Sequence, residues 1–597
     1  MERMQKLLHD PIFSVQGSET GSKVMPLKEA VSRYVKQGMM IHTCQTSIRW
    51  CHAIFNEIAR QFWGKRGDFT LAGISMNFPH AVLVHGGLVK KMITSYFGDP
   101  YIVPSPNRVF QKAVKEGTLE IEHWSIYTIT LRLQAAALNL PFLPTHSLLG
   151  STMEQDNKKD LVVMDDPLRE GEKIALVSAL QPDLTIAHGW LADSEGNAVF
   201  LAPLGENIKG ALGSKKGVIL TVEKIVPTEK LRKYSHMVKL PGTYVKSVSE
   251  VPFGAHPSGL SRTGLDELDL YSEDYAFIEE VHQAGKNKDS FQAWIDKWVL
   301  SCSDHEDYLA KLGHERIQRL TGQSNPESWR VNFSSLEKII DDEKYTPIEM
   351  AMVVMARILA QKVKKDKHKT LLAGAGIANL ASWLCFYKLK QEDYPLELMA
   401  EIGMYGYVPC PTEPILFNTS NFATCKITTD IPTIMGLFVG GIKANCIGAL
   451  GAAQIDQHGS INTTKMDQDN VIVGSGGAND VCSVAKDVVA ILPQSSDRLI
   501  EDVYYITSPG KNVSTVVSTM GIFEKTANDS GFTLTGYFPS NEGNLEKIIE
   551  KFQKKSSWSF NIGKNLKEIK PPAHDELKML RIFDPNRYYL GALNNEY

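Results

Sequence analysis

The chain has 597 residues, too many for a single hydrophobic core, so two or more α/β-sized domains are expected. Its hydrophobic and charged fractions, 43% and 22%, are those of an ordinary folded protein. The net charge is −4 at pH 7 and neither half carries a dominant basic block, so nothing favours nucleic acid or an anionic membrane as a partner.

The compartment is indicated by the ends of the sequence and by its thiols. The N-terminus lacks the apolar region and small-residue cleavage site of a secretory signal, and the apolar run "IMGLFVGGI" is too short to span a membrane. The eight cysteines form no C-x-x-C pair, which is typical of a reducing compartment. We expect a cytoplasmic protein.

The first 240 residues alternate between helical and strand patterns. Leu27, Ala30, Val31 and Tyr34 recur at helical spacing, and Gly38 closes this predicted helix. Helix "QTSIRWCHAIFNEIARQFWGK" and strand "DFTLAGIS" follow. Apolar runs that alternate with helices predict βαβ units and a mostly parallel sheet.

The composition changes in the middle of the chain. Residues 274–342 are rich in charge and dotted with Trp at helical spacing, which predicts a helical connection. The α/β alternation restarts at "TPIEMAMVVMARILAQKV" and the strand "KTLLAGAG". The predicted organisation is a first domain of residues 1–273, a helical connecting segment of residues 274–342 and a second domain of residues 343–597.

A turn motif recurs in both parts. Asp193 and Asp456 each follow an apolar run and precede Gly196 and Gly459 by three positions. In such a turn the Asp side chain accepts hydrogen bonds from nearby backbone N–H groups, and Gly accepts a positive φ. The recurrence suggests two related domains in tandem.

The stretch "LLAGAGIANL" is the first candidate site. A strand that ends at Gly374 and Gly376 and runs into a helix can bring backbone N–H groups to an anion. Asn379 stands where a dinucleotide motif has its third glycine, and Glu401 ends the next predicted strand, 25 residues after Gly376. An NAD site with Glu401 as the ribose-binding acid is therefore one hypothesis.

Glu401 has other interpretations, a helix cap or a nucleophile. Gly403 and Gly406 follow it at once, and a ribose-binding acid does not need them. A carboxylate approached by a bulky thioester does, because glycines open space and expose N–H groups near a developing oxyanion. A second glycine loop, "GSGGAND" at 474–480, also joins a strand to a helix and can form the opposite wall of one pocket.

Several motifs resemble those of the family I coenzyme A transferases. "AEIGMYG" is similar to the family's Ser-Glu-Asn-Gly motif, "GSGGAND" to its second glycine loop, and "AAQIDQHGSINTT" to its Asp-x-x-Gly turn. The first half, with "GGLVKKMITSYFGD", is similar to the α subunit of glutaconate-type enzymes, and the second half, closing on "LRIFDPNRYYLG", to the β subunit. The resemblance implies a fused α–β polypeptide with two tandem NagB/CoA-transferase-like α/β domains.

This resemblance implies roles for individual residues. Glu401 becomes the nucleophile that forms a mixed anhydride and then a glutamyl-CoA thioester, with no metal and no tightly bound cofactor, coenzyme A being a co-substrate. Ser147 is a candidate substrate contact. The expected CoA-binding and oxyanion residues are Gly374, Gly376, Gly403, Gly406, Gly476, Gly477, Ala478 and Asn479.

The sequence departs from the family pattern beside the nucleophile, where Ala400 and Ile402 replace Ser and Asn. Related proteins on this scaffold are hydrolases or decarboxylases, and for such an activity Glu122 in "EIEHW" is the candidate acid or base. The remaining alternatives are an NAD-dependent oxidoreductase and an acyl-CoA-binding protein without turnover. The expected partners are an acyl-CoA and a small carboxylic acid; the family commonly pairs its α–β units, so a homo-oligomer is a further possibility.

Overall fold

The structure is a computed structural model that describes residues 1–8, 21–44, 49–260, 264–265, 267–325, 327–330, 333, 336, 341–525, 531–540 and 543–592. Residues 45–48, at the start of one predicted helix, lie outside this part. We call residues 1–273 the first half, residues 274–342 the connecting segment and residues 343–597 the second half.

The first half contains thirteen strands and nine α-helices among its described residues. The strands are β1 (Met40–Thr43), β2 (Phe69–Met76), β3 (Val89–Asp99), β4 (Ser105–Pro106), β5 (Glu120–His123), β6 (Phe142–Thr145), β7 (Leu161–Asp165), β8 (Lys173–Ser178), β9 (Leu184–Ala192), β10 (Ala198–Val199), β11 (Val218–Ile225), β12 (Val238–Leu240) and β13 (Val245–Glu250). The helices are α1 (Glu2–Leu8), α2 (Leu27–Tyr34), α3 (His52–Phe62), α4 (Phe78–His85), α5 (Arg108–Lys115), α6 (Ile126–Ala137), α7 (Thr152–Asp156), α8 (Asn207–Gly213) and α9 (Thr228–Arg232). A short 3₁₀ helix spans Gly242–Tyr244.

The connecting segment is helical where the structure describes it. Its helices are α10 (Tyr275–Gly285), α11 (Lys288–Ile295), a π-helical turn (Asp296–Leu300), α12 (His305–Leu312) and α13 (His314–Gln323). Phe277, Trp294 and Trp298 are buried in the same hydrophobic cluster as residues of both halves. The segment is therefore packed against the protein, as the Trp spacing predicts.

The second half also contains thirteen described strands. They are β14 (Thr370–Ala373), β15 (Glu397–Ala400), β16 (Met404–Tyr405), β17 (Ile427–Thr428), β18 (Cys446–Gly451), β19 (Gln454–Asp456), β20 (Ile461–Asn462), β21 (Asp487–Leu492), β22 (Leu499–Ile500), β23 (Val513–Ser518), β24 (Gly521–Lys525), β25 (Phe532–Tyr537) and β26 (Asn561–Glu568). The helices are α14 (Pro347–Asp366), α15 (Ile377–Gln391), α16 (Thr419–Ala423), α17 (Ala478–Val484), α18 (Leu545–Lys554) and α19 (His574–Phe583), with a π-helical segment at Pro432–Val439 and a 3₁₀ helix at Gly510–Asn512.

Each half is organised around one large sheet. In the first half β13, β11, β9, β1, β2, β3 and β5 are neighbours in that order and parallel. In the second half β15, β14, β18, β21 and β23 form a parallel core, and β24 pairs with β23 in antiparallel fashion. Each large sheet has ten described strands, and each half adds a three-stranded sheet. The predicted α/β class with two tandem domains is confirmed, and both large sheets are mixed, with a parallel core and antiparallel strands at their edges.

The helices begin where the sequence supplies caps. Thr346 and Glu349 form a reciprocal capping box at the start of α14, with the Thr346 Oγ1 accepting from Glu349 N at 3.2 Å. Ser125 caps α6 in the same way together with Thr128. The start of α6 is thereby fixed, and it lies at the boundary between the two halves.

The repeated Asp-x-x-Gly motif forms the same turn in both halves. The Gly196 N–H donates to Asp193 O at 3.1 Å, and the Gly459 N–H donates to Asp456 O at 2.9 Å. Both glycines have positive φ, +94° and +84°. The turn prediction is confirmed, and the equivalent geometry supports the tandem relationship.

All eight cysteines are free thiols, and seven of them are buried. Among the described helices, none is both long enough and apolar enough to cross a membrane. The cytoplasmic location inferred from the thiols stays a prediction.

Candidate active site

Backbone hydrogen bonds join the two halves along the edge of β3. The Phe97 N–H donates to Val473 O at 2.9 Å, and the Gly476 N–H donates to Ser95 O at 3.0 Å. This segment of the second half continues the edge that β5 leaves at Thr94. A Cβ atom on Gly474 would lie 2.4 Å from Ser95 O, so only glycine permits this approach.

A cavity of about 180 Å³ lies at this junction. The first half contributes residues at the ends of β2 and β3, including Ser75 and Tyr96. The second half contributes the turn at Gly374, the glycine loop around Gly476 and the loop 415–417. These parts meet because carboxyl ends of parallel strands converge at one edge of each sheet, and the two edges face each other.

Glu401 lies on the wall of this cavity, directly after β15. The side chain is partly buried, and its Oε2 is inaccessible to water and has no hydrogen-bond partner among the described residues. Burial raises the pKa of Glu401 to about 7; a hydrogen bond from its own backbone N–H opposes the rise, and the charge of Asp480 adds to it. The carboxylate is therefore both basic and poorly solvated, as a nucleophile requires.

The loop that carries Glu401 is held by the first half. The Gly205 N–H donates to Ile402 O at 3.0 Å, and the Leu204 N–H donates to Thr429 O at 2.8 Å. Ala400 and Ile402, which stand where the family has polar residues, are completely buried. Their side chains fix the loop by packing, so the position of Glu401 does not depend on polar neighbours at these two positions.

Gly403 and Gly406 shape a hairpin and are absent from the cavity wall that the described residues form. β15 and β16 pair in antiparallel fashion on either side of the turn 401–403. Gly403 has φ +127°, and a Cβ atom there would lie 2.2 Å from Thr429 O. Both glycines are required by the backbone, because Gly406 also has a positive φ of +64°. The open space predicted beside Glu401 is instead provided by Gly477.

Gly477 is the glycine in contact with the nucleophile candidate. A Cβ atom on Gly477 would lie 3.5 Å from the Cβ and the Cγ of Glu401. The Gly476 N–H is engaged with Ser95 O, and the Ala478 N–H donates to Ser475 O at 3.0 Å. The Gly477 N–H makes no hydrogen bond to a described residue. This amide is therefore available to a ligand.

Of three other predicted site residues, only Gly374 lines the cavity. Gly376 has φ +111° and lies at the N-cap position of α15. Asn479 is buried; its side chain donates to Thr507 O at 2.9 Å and accepts from Leu148 N at 2.9 Å. Asn479 therefore joins the two halves and is not among the lining residues of the cavity.

Ser147 and Asp480 form part of a buried polar cluster behind the cavity. Asp480 Oδ1 accepts from Ser125 Oγ at 2.6 Å, and Oδ2 accepts from Tyr127 N at 3.1 Å. Burial raises the pKa of Asp480 to about 6, and hydrogen bonds from Ser125, Ser147 and the Tyr127 N–H oppose this rise. Ser147 contacts Asp480 and is not part of the described cavity wall.

Glu122 lies on β5, outside the described cavity wall. Its carboxylate accepts from Trp124 Nε1 at 2.7 Å and pairs with Lys91 at 2.7 Å and Arg132 at 3.1 Å. Burial opposes ionisation, but these donors outweigh it and lower the pKa of Glu122. The contacts fit an ion pair that holds β5 to α6, and an acid or base role for Glu122 stays a prediction.

Sequence reasoning did not find several residues of the cavity wall. Tyr101 and Tyr589 both line it, and the Tyr589 hydroxyl donates to Ile102 O at 2.7 Å. Tyr589 belongs to the closing motif "DPNRYYLG", where Asp584 accepts from the Tyr589 N–H at 2.7 Å. That motif was a usable signal for Tyr589. Tyr101, Ser75 and the loop 415–417 have no local pattern that would reveal them.

One group in the described part of the chain has the donor set of a metal site, away from the cavity. Ligand atoms of Asp366, His368 and Asp487 lie within 4.8 Å of one another. The Lys362 ammonium pairs with Asp487 at 2.7 Å and already neutralises this carboxylate. The residues that line the cavity include no such group.

Comparison with known proteins identifies the family. The coenzyme A transferase family model matches residues 24–251. The A subunit of glutaconate CoA-transferase from Acidaminococcus fermentans is 30% identical over 314 residues, covering 50% of this chain and 94% of its own length. The chain belongs to the coenzyme A transferase family. This confirms the resemblance seen in the sequence and the expectation of an enzyme of the CoA-transferase class.

Two further relatives add the second kind of subunit and the whole fold to the comparison. The B subunit of 3-oxoadipate CoA-transferase from Pseudomonas knackmussii is 30% identical over 157 residues, 23% of this chain and 58% of its own length. The acyl-CoA transferase YdiF from Escherichia coli O157:H7, solved as a thioester complex with CoA, has a TM-score of 0.61 at 15% identity and covers 92% of this chain and 95% of YdiF. The chain combines regions similar to both kinds of CoA-transferase subunit in one polypeptide.

Proposed function

We propose that the protein transfers coenzyme A from an acyl-CoA to a carboxylic acid, with Glu401 as the covalent nucleophile. The observation that carries the proposal is the placement of Glu401. Among the described residues that line the cavity, Glu401 is the only one with a side chain that is charged when it ionises near neutral pH. Its Oε2 has no protein partner among the described residues and is positioned at the junction of both halves.

The chemistry begins with attack of the Glu401 carboxylate on the thioester carbonyl. The carbon–sulfur bond breaks and leaves a mixed anhydride together with CoA thiolate. The thiolate then attacks the glutamyl carbonyl, which releases the acyl group as a carboxylate and forms a glutamyl-CoA thioester. The acceptor carboxylate attacks this thioester and repeats the two steps in reverse, so thioester energy is conserved and no net proton is required.

The surroundings of Glu401 support each step. We assign the Gly477 N–H as a donor to the oxyanion that develops on either carbonyl, since a Cβ atom on this glycine would lie only 3.5 Å from the Glu401 side chain. The apolar wall formed by Leu372, Leu450 and Phe417 excludes water, which would otherwise hydrolyse the anhydride. Gly374 and Gly476 leave room for the pantetheine arm because neither carries a side chain.

The family relatives support the same reaction. Glutaconate and 3-oxoadipate CoA-transferases are transferases by name, and YdiF, which is similar in fold, was solved as a thioester complex with CoA. We extend the covalent thioester to this chain through Glu401. A hydrolase or decarboxylase that uses Glu122 gains no comparable support, because Glu122 is already paired with Lys91 and Arg132.

The decisive experiment traps the covalent intermediate. The purified protein is incubated with a panel of acyl-CoA esters and no acceptor, and then its intact mass and peptide map are measured with and without borohydride. We expect a CoA adduct on Glu401 that borohydride reduces to the alcohol, and no adduct on Glu401→Gln. Glu122→Gln is the matched control and should still be loaded. An adduct on another residue, or none across the panel, would overturn the proposal.

A further inference from the structure

We propose that the acyl groups handled at Glu401 carry no second ionised group, so that the substrates are CoA esters and free acids of uncharged, apolar chains. This inference rests on the proposed function. It goes beyond that function because the curated relatives named above act, by name, on glutaconate and 3-oxoadipate, which are dicarboxylates.

The first observation is the composition of the cavity wall. The described residues that line it include no Lys, Arg or His. The polar side chains among them are neutral Ser, Thr and Tyr groups, such as Ser95, Thr463 and Tyr96. The apolar side chains come from both halves, among them Ile74, Ile126, Leu416 and Val473.

The chemistry of a second carboxylate conflicts with this wall. A carboxylate that leaves water needs a cation or several strong donors to offset its desolvation. Proteins usually meet that need with Arg, which binds carboxylates in bidentate geometry. The described lining residues favour burial of an alkyl chain, and none of them carries a positive charge that could pair with a second carboxylate.

Two buried arginines of the first half, which do not line the cavity, are engaged elsewhere. Arg132 pairs with Glu122 at 3.1 Å and with Asp160 at 3.3 Å. The Arg49 guanidinium donates to Leu201 O and lies over the Trp190 ring, 5.1 Å from its centroid. To serve a ligand in the cavity, either arginine would first have to break these contacts.

A carboxylate behind the cavity wall adds negative charge. Asp480 lies close enough to raise the pKa of Glu401 through its charge, in addition to the larger effect of burial. A dianionic acid would therefore bring its second charge toward a carboxylate and not toward a cation.

The test compares two CoA esters of equal carbon number. Butyryl-CoA ends in a methyl group and succinyl-CoA ends in a carboxylate. We measure single-turnover loading of Glu401 by each ester, and transfer from butyryl-CoA to butyrate and to succinate. We expect kcat/KM for butyryl-CoA to exceed that for succinyl-CoA by at least a hundredfold. Equal values, or a preference for succinyl-CoA, would overturn the inference.

A variant that adds a cation sharpens the result. Val473 lines the cavity and is only partly buried, so Val473→Lys can place an ammonium group there. We expect this change to shift the ratio of the two esters at least tenfold toward succinyl-CoA. An unchanged ratio in the folded variant would count against the inference, and the wild-type ratio decides it if the variant does not fold. If neither ester loads the wild-type protein, the proposed function itself fails, which is a distinct outcome.

Discussion

Ser125 of the first half donates a hydrogen bond of 2.6 Å from its Oγ to Asp480 Oδ1 of the second half. Both residues lie at helix starts, Ser125 as the N-cap of α6 and Asp480 in the first turn of α17. A buried carboxylate at two helix N-termini is stabilised by their dipoles and N–H groups. Through its charge, this same carboxylate acts on Glu401.

Removal of the Asp480 charge should lower the pKa of Glu401. Replacing Asp480 by Asn keeps an acceptor for Ser125 and removes the negative charge. We expect the pH midpoint of Glu401 loading to move below its wild-type value, because ionisation of Glu401 becomes easier. The measurement is the rate of CoA-adduct formation from pH 5 to 8.5. Glu546→Gln, which alters an exposed carboxylate on α18, should leave the midpoint in place, and a midpoint that rises in Asp480→Asn would contradict the interpretation.

Wild-type loading should itself depend on pH through Glu401. Only the ionised carboxylate attacks the thioester, and its pKa is raised to about 7 by burial. We therefore expect the loading rate to increase about tenfold per pH unit below this value and to level off above it. Rapid-quench mass measurement of the adduct checks the profile. A rate that stays constant between pH 5 and 8 is incompatible with such a nucleophile.

The raised pKa also predicts a stability effect. Glu401 titrates near 4.5 when unperturbed and near 7 in the folded protein. Between these values the folded state binds more protons than the unfolded state, so stability falls as pH rises through this window. Glu401→Gln removes this penalty. We expect its Tm to exceed the wild-type Tm by about 1–3 °C at pH 8 and to show no gain at pH 4.5.

One result for Glu401→Gln would contradict the ionisation explanation of its stability. A Tm gain of equal size at both pH values would trace the effect to packing and not to ionisation. Glu401 loading by CoA should be absent in this variant at every pH. Differential scanning calorimetry at the two pH values, on protein without substrate, provides the comparison.

Glu122 should be needed for stability and not for chemistry. In Glu122→Gln the buried Arg132 loses one of its two carboxylate partners, which we expect to cost about 1–3 kcal/mol. Glu120→Gln is a matched control, because Glu120 is exposed and shares Lys91 with Glu122. Thermal unfolding and Glu401 loading are measured on both variants. Normal stability combined with lost loading in Glu122→Gln would instead favour a catalytic role.

Gly477 should be needed for the reacting geometry. Its φ is −88°, so Gly477→Ala introduces no backbone strain, yet the new methyl group contacts the Glu401 side chain. We expect normal stability and a loading rate reduced by about tenfold to a hundredfold, since misplacement of a nucleophile is costly. Gly285→Ala, which places a methyl group in open space on α10, is the control. Unchanged loading in Gly477→Ala would show that loading does not require the open space beside Glu401, since alanine keeps the backbone N–H.

The sequence predicted the parts of the site that depend on local chemistry. The strand–turn–helix unit at Gly374, the Asp193 and Asp456 turns and the position of Glu401 after a strand all follow from patterns of neighbouring residues. The strand predicted before Gly474 is wrong: residues 471–474 form only isolated bridges, although a helix does follow the loop. Gly403 and Gly406 were predicted to open space beside Glu401, but they do not line the cavity, and they are needed because of positive φ and close approach to Thr429 and Lys426. No local pattern shows which distant backbone atom will approach a glycine.

The remainder of the site depends on long-range contacts. Tyr101, Ser75 and Tyr96 reach Glu401's cavity only because β3 pairs with a segment almost 400 residues later in the chain. The burial of Glu401, which raises its pKa, and the nearby charge of Asp480, which adds to the rise, have the same origin. Such quantities arise when the two halves dock, so they could not be derived from either half's sequence alone.

The shared edge of β3 has a consequence for biosynthesis. A ribosome completes β3 long before it makes Val473 and Gly476, so Ser95 and Phe97 leave the exit tunnel without their hydrogen-bond partners. An unpaired strand edge beside an apolar surface invites association with other nascent chains. The helical connecting segment keeps the pairing segment of the second half in the same polypeptide. Covalent connection of the two halves thus shortens the time during which this edge is exposed.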